Sequence, residues 1–373
     1  MPNYRTRVGK DSSASTSGGV VGRGYLEDTL PFIEKGDVIP IISNSLRLEQ
    51  IFLDEKSLSE RFSDEGQLVE EGLTITEHST QEWAGEINYP FRDAHDLARV
   101  AQYYQVEKET LLAKTQYLDF MTRYLLSLID SGDPEYGDIA DLMRKKIESF
   151  SRSARRLDFP RFPNELNDPL RMLAKLPLKI YITTSPYRFV EQALEAENKH
   201  PRTQVLLMTG GEKDVPSELM PDSRYEPTAG QPAVYHLFGL EDFPQTLVLS
   251  EDDFMNFLIN MVEDSNTQSL KVPARLRGGI SESRLLLLGY RVKDWEFRVL
   301  FRFLQKFRQF ESAPKGMLIQ LNQGTQSEED RQKSIHYLSQ YFDKRKFEVD
   351  ITTPEKFIVK LWNAWEKYSE ARS

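Results

Sequence analysis

The chain has 373 residues, 39% hydrophobic and 28% charged, with a formal net charge of −10 and no cysteine. That length suits one large domain or two ordinary ones, with a core that stands without disulfides. The missing cysteines exclude thiol catalysis, disulfides and Cys-ligated zinc. The acidic balance disfavours nucleic-acid binding, and no apolar run approaches the roughly 20 residues of a membrane span.

Residues 1–24 end in a Ser-, Thr- and Gly-rich stretch, DSSASTSGGVVGRG, that has too little apolar surface to order itself. They are expected to form a flexible tail, distinct from a domain spanning 25–373. The tail has no apolar signal-peptide core, which makes the cytoplasm the default location. Its glycines follow no strand, as a phosphate loop would require.

The first buried strand is expected at Val38–Ile42 (VIPII), running through Ser43-Asn44-Ser45 into a helix near Leu46–Phe52. The next forty residues read as irregular and acidic. A helical pattern starts near Asp93, with Leu97, Val100, Ala101 and Tyr104 on one face. A second helix is expected over 106–129, where Leu111, Leu118 and Leu125 repeat at heptad spacing, stopped by Ser131-Gly132-Asp133-Pro134. A third covers about 138–156. Its basic run (Arg144, Lys145, Lys146, Arg152, Arg155, Arg156) reads as a solvated face. Together these form a helical insertion over about 93–165.

Short apolar strands follow at 180–184, 204–209, 233–237, 246–249, 284–289, 317–321 and 347–351, with helices at 189–197, 251–262, 295–305 and 355–367. Ser250 with Asp253 resembles a capping box, and Thr353-Pro354 caps the last helix. Apolar strands alternating with helices predict an α/β fold, a Rossmann-like, mostly parallel sheet with helices on both faces. In such sheets ligands sit beyond the carboxyl ends of the strands.

The candidates for chemistry are few. Glu251, Asp252 and Asp253 open a helix, where adjacent carboxylates usually serve as caps and dipole partners rather than as a metal site. The five histidines form no His-x-x-x-His pair, and there is no Gly-x-Ser-x-Gly elbow and no Walker loop. The stripe Phe297, Leu300, Phe301, Leu304 has helical spacing and reads as core or partner-facing surface.

Three ordered stretches carry a family resemblance: LAKLPLKIYITTSPYRFVEQAL at 173–194, VYHLFGLEDFPQTLVLSEDDF at 234–254 and LLLLGYRVKDWEFRVL at 285–300. They resemble the prokaryotic sirtuin-like domains of phage-defence and nucleotide-signalling systems, from about Phe32 to Trp365, with GYRVKDW the most specific piece. The resemblance implies a Rossmann-like sheet that binds NAD or an ADP-ribose-like nucleotide. It implies activities such as NAD hydrolysis or ADP-ribose sensing, and a protein partner or homo-oligomer without membrane or nucleic acid. Zinc-dependent deacetylation is not expected, since the zinc-ribbon cysteines are missing.

The family's site residues transfer poorly. Its Gly-Ala-Gly loop falls on Ser43, Asn44 and Ser45, and its Thr-Thr-Asn on Thr183, Thr184 and Ser185. Its basic histidine falls on Phe238, which accepts no proton. Cofactor contacts are expected at Ser43, Asn44, Ser45, Thr183, Thr184, Gly239, Gly289 and Tyr290. Gly289 reads equally as a close approach to cofactor or as a turn glycine. The remaining catalytic candidates are His236 with Ser185. His236 precedes Phe238 by two residues on the same strand face, but its ring is displaced by about 6–7 Å. A histidine bonded to a neighbouring carbonyl is the plainer reading. The leading functional expectation is a catalytically impaired, nucleotide-binding sensor or scaffold of a defence system. The alternatives are an active NAD hydrolase with a rearranged site and an interaction protein without ligand.

Overall fold

A computed structural model describes residues 23–62, 74–129, 136–145, 148–163, 167–207, 215–222, 224–263, 272–308, 314–320 and 328–372. Residues 1–22 of the expected 1–24 tail, the Ser131–Pro134 stop and Lys146 lie outside them, as do the ends of the strands expected at 204–209 and 317–321; Arg23 and Gly24 open a helix. Among the described residues no helix is long and apolar enough to cross a membrane.

Seven strands form one wholly parallel sheet: β1 (Val38–Ile42), β2 (Ile180–Thr183), β3 (Arg202–Val205), β4 (Ala233–His236), β5 (Arg284–Tyr290), β6 (Gly316–Gln320) and β7 (Phe347–Asp350). Their order is β3-β4-β2-β1-β5-β6-β7. The expected α/β, Rossmann-like architecture is therefore present. Successive strand residues point to opposite faces. Val38, Ile42, Leu286 and Leu288 belong to one core layer, and Ile39, Ile41, Leu285 and Leu287 to the other. On the first face pack α1 (Arg23–Lys35), α9 (Pro169–Lys175), α10 (Phe189–Ala196) and α15 (Pro354–Glu370). On the second pack α11 (Glu251–Glu263), α12 (Ala274–Glu282), α13 (Trp295–Phe307) and α14 (Glu328–Asp343).

Pro40 sits in the central strand, where proline is normally avoided. Ser43 donates to the Leu288 carbonyl on β5, whereas the Ile42 carbonyl accepts from Thr184 beyond β2. Odd residues of β1 thus bond β5 and even ones face β2. The donor that Pro40 lacks is on the β2 side, and the β1–β2 ladder begins only at Ile41.

The long crossover from β1 to β2 carries α2 (Asn44–Phe52), α3 (Glu55–Phe62), α4 (Ile75–Glu86), α5 (Leu97–Glu107), α6 (Thr110–Ser127), α7 (Tyr136–Arg144), α8 (Phe150–Arg156) and α9. The stretch expected to be irregular therefore holds α3 and α4. The reciprocal capping box of Thr74 and Glu77 that opens α4 was readable in sequence as Thr-x-x-Glu. The helix expected over 106–129 starts at Thr110, and its buried stripe is Ala113, Tyr117, Phe120, Met121 and Leu125. Leu111 of the expected heptad is 52% exposed. Trp83 of α4 fixes that stripe, packing on Tyr117 and Phe120 of α6 and on Tyr104 of α5. The helix expected over 138–156 is two. The Glu241 carboxylate accepts the Ser151 N–H and hydroxyl and so starts α8 afresh. The basic face pairs locally, Arg152 with Asp242, Arg155 with Glu195 and Arg156 with Glu148.

Thr246–Leu249, expected as a strand, has no ladder. A 3-10 turn (Pro244–Thr246) precedes an extended segment in which Val248 donates to the Phe238 carbonyl. That segment leads into α11 through the expected Ser250/Asp253 capping box. Asp253 also receives the buried Lys114 ammonium from α6 at 3.0 Å, tying the crossover helices to the sheet.

Candidate functional site

The strand order reverses around β1. Its chain leaves toward β2 on one side, and β5 returns on the other. Helices α2 and α13 diverge from that point and open a crevice at the carboxyl ends of the strands. A cavity of about 380 Å³ lies there, with Asn44, Thr184, Phe238, Arg291 and Glu296 among its walls.

The end of β1 is turned inward. Ser43 is the N-cap of α2, its Oγ accepting the Leu46 N–H at 3.2 Å. The Ser43 and Ser45 hydroxyls both donate to the Gly289 carbonyl, at 2.8 and 2.7 Å. Gly289 has φ +81°, and a Cβ there would stand 2.5 Å from Ser43 Oγ. The close approach that demands glycine at this position is therefore to α2. Gly239 likewise has φ +88°, with its own loop 2.4 Å from the place of a Cβ, and does not line the cavity.

The end of β2 divides its side chains. Thr183 is buried, donating to the Ile42 carbonyl. Thr184 lines the cavity, 2.9 Å from the Tyr290 hydroxyl and in a short hydrogen bond to Glu296 Oε1. Ser185 is buried and donates to Asn44 Oδ1 at 2.9 Å. Of the expected contacts, Asn44, Ser45 and Thr184 line the cavity, whereas Gly289 and Tyr290 do not line it and are bonded to Ser45 and Thr184 from behind.

His236 lies behind these residues. It is fully buried and does not line the cavity. Nδ1 is 2.9 Å from the Ser185 carbonyl, and Nε2 is 2.8 Å from Glu191 Oε1. A carbonyl oxygen only accepts, so Nδ1 carries a proton and Nε2 faces the Glu191 carboxyl. Burial alone would raise the Glu191 carboxyl. His236, the Thr203 hydroxyl and Arg188 outweigh it and hold it below the usual range. Phe238, two residues on, does reach the cavity and packs edge-to-face on Phe254 and Phe257. The wall there is hydrocarbon, with no proton acceptor.

The charged wall was not foreseen from sequence. Glu77 of α4 pairs with Arg291 at 3.0 Å and Lys293 at 2.9 Å. Burial opposes its ionisation, but Arg291, the Thr74 N–H and Lys293 bring it down to about 2. Asp294 stands at the N-cap of α13 as expected, yet its side chain accepts from Arg291 Nε at 2.8 Å. Trp295 stacks on Phe254 and joins the wall. His95, Asp96, Arg99, Glu251 and Arg298 also line the cavity.

Glu296 is the most unusual member. It is half-buried in the first turn of α13, and Oε1 accepts the Asn44 N–H at 3.2 Å besides the Thr184 hydroxyl. Burial raises its carboxyl to about 7. Asp294 adds to the rise, while Thr184, the Asn44 N–H and Arg291 oppose it. In sequence Glu296 looks like any helix-dipole residue. Only the fold sets it against the first turn of α2. Among the described residues no cluster of three or more His, Asp or Glu is arranged to hold a metal ion.

No curated protein matches the chain. Residues 179–344 match the family model described as SIR2-like domain. That stretch begins at β2, ends with α14 and contributes Thr184, Phe238, Arg291 and Glu296 to the cavity, whereas Asn44, Glu77 and His95 come from chain preceding it. From β2 to α14, the chain is similar to SIR2-like domains.

Proposed function

We propose that the cavity binds NAD or an ADP-ribose-like nucleotide without turning it over, and that the protein acts as a sensor or scaffold. The carrying observation is the pairing of an open crevice at the sheet's switch point with a wall that lacks an acid–base group at the end of β4. The crevice and the SIR2-like match point to nucleotide binding. Phe238 supports impairment, because phenyl carbon cannot take a proton from a ribose hydroxyl or water. His236 supports it as well, since reaching the cavity would break both of its buried hydrogen bonds and strand Glu191. A role in prokaryotic defence, with a protein partner or a second copy, follows from the resemblance of the 173–194, 234–254 and 285–300 stretches.

The test is thermal denaturation of the purified chain with NAD, ADP-ribose and cyclic ADP-ribose, with NAD consumption followed in the same samples. Binding to the folded state alone adds about 2.7 kcal/mol at a hundredfold excess over Kd, a rise of several degrees without NAD loss. NAD consumption that His236→Ala abolishes would replace this reading with a hydrolase of rearranged site. No shift with any of the three would leave an interaction protein without ligand.

A further inference from the structure

The N-terminus of a helix that follows a strand at the switch point is where α/β folds hold phosphate, through free N–H groups and the positive end of the helix dipole. Here α2 is that helix. It begins directly after β1, and the N–H of its first residue, Asn44, already has an acceptor, the Glu296 carboxylate from α13. The other partners of this carboxylate are neutral: Thr184 donates to it, and the Tyr290 hydroxyl stands behind Thr184. Among the described residues no cation lies within ion-pair distance of Glu296, whereas on the same wall Glu77 has two and Asp294 one. An acid has been placed at the anion position of the cleft without a counter-ion.

We propose that Glu296 is a built-in occupant of the phosphate position, and that a nucleotide carrying a diphosphate binds only when this carboxyl takes up a proton or moves aside. This inference rests on the nucleotide reading above and adds a specificity element to it. The ionised carboxylate and a phosphate compete for one N–H and repel each other, while an uncharged nucleoside meets no such barrier. The groups facing Glu296 are Asn44 of α2, Thr184 beyond β2, Tyr290 of β5, Tyr117 of α6, and Arg291 and Asp294 of the β5–α13 turn. With the carboxyl raised to about 7, its protonated fraction falls steeply between mildly acidic and mildly alkaline solution.

The experiment is calorimetric titration of the full chain with ADP-ribose, and with adenosine as the uncharged comparison, at about pH 6 and about pH 8. For the wild type, the ADP-ribose Kd should weaken roughly tenfold from the lower to the higher pH, following the protonated fraction, while adenosine shows no such change. Glu296→Ala should bind ADP-ribose equally at both values and at least as tightly as the wild type at the lower one. Glu296→Gln removes the charge but keeps the volume. It should be equally flat, and it serves if the alanine protein does not fold. pH dependence that survives in both variants comes from another group of the cavity and overturns the gate. A flat wild-type profile also overturns it while leaving nucleotide binding intact. Failure of all three proteins to bind either ligand removes the nucleotide reading, and the gate with it.

Discussion

Glu191 and Glu296 both stand in the first turn of a helix, and both lie beside the chain that leaves β2. Glu191 is sealed against His236 and Thr203 and is held ionised. Glu296 meets one hydroxyl, one N–H and the cavity, and its carboxyl is raised to about 7. Burial pushes both upward, and the difference lies in the partner. His236, Thr203 and Arg188 outweigh the desolvation of Glu191, whereas the partners of Glu296 offset its desolvation only in part. The molecule therefore keeps one acid as structure and leaves the other poised at the edge of its cleft.

Removing the imidazole should collapse this contrast, with the largest effect. His236→Ala leaves Glu191 buried without its imidazole partner and should lower unfolding free energy by about 3–5 kcal/mol in urea melts near neutral pH. Because Glu191 is depressed in the folded state, the stability it contributes is present above its ordinary pKa and is lost as pH falls through the folded value. A loss below about 1 kcal/mol would mean that the pair behaves like an exposed one.

The opposite sign is expected at the cleft. The folded pKa of Glu296 is raised, so its contribution is fully present below about 4.5 and is lost as pH rises through about 7. Glu296→Gln removes that slope and should be the more stable protein at about pH 8, by roughly 2–3 kcal/mol at most, since the side chain is partly open to water. Parallel urea melts of the two proteins across this range are the check. Identical slopes would show that Glu296 ionises as an ordinary surface acid.

The smallest change sharpens the comparison. Thr184→Val deletes one donor to Glu296 and leaves the buried Tyr290 hydroxyl without that partner. A cost of about 1–2 kcal/mol is expected. The Glu296 carboxyl, followed by carbon NMR, should titrate higher than in the wild type, because Thr184 is one of the groups holding it down. An unmoved titration would show that Thr184 does not solvate this acid.

Much of the frame was legible in the residues. VIPII and RLLLLG announce strands buried on both faces, because only such strands lack a polar side. The Ser250/Asp253 capping box marks a helix start on local chemistry alone. The site was legible in part: the 43–45, 183–185 and 289–290 runs meet at the head of the sheet, as strand ends in this fold must. The misreadings arose where distant partners decide. Thr246–Leu249 has strand-like residues but no neighbouring strand to bond. The 138–156 pattern is helical, but Glu241 from another part of the chain caps its middle.

The sequence by itself determined most of the strands and helices and a mostly parallel sheet, because apolar periodicity and caps act within a few residues. Only the tertiary structure decided what each ionisable group does. His236 and Glu191 are 45 residues apart, and Glu296 and Asn44 are 252 apart. The protonation of each is set by whichever charge, dipole or water the fold brings within a few ångströms, and chain spacing does not encode that.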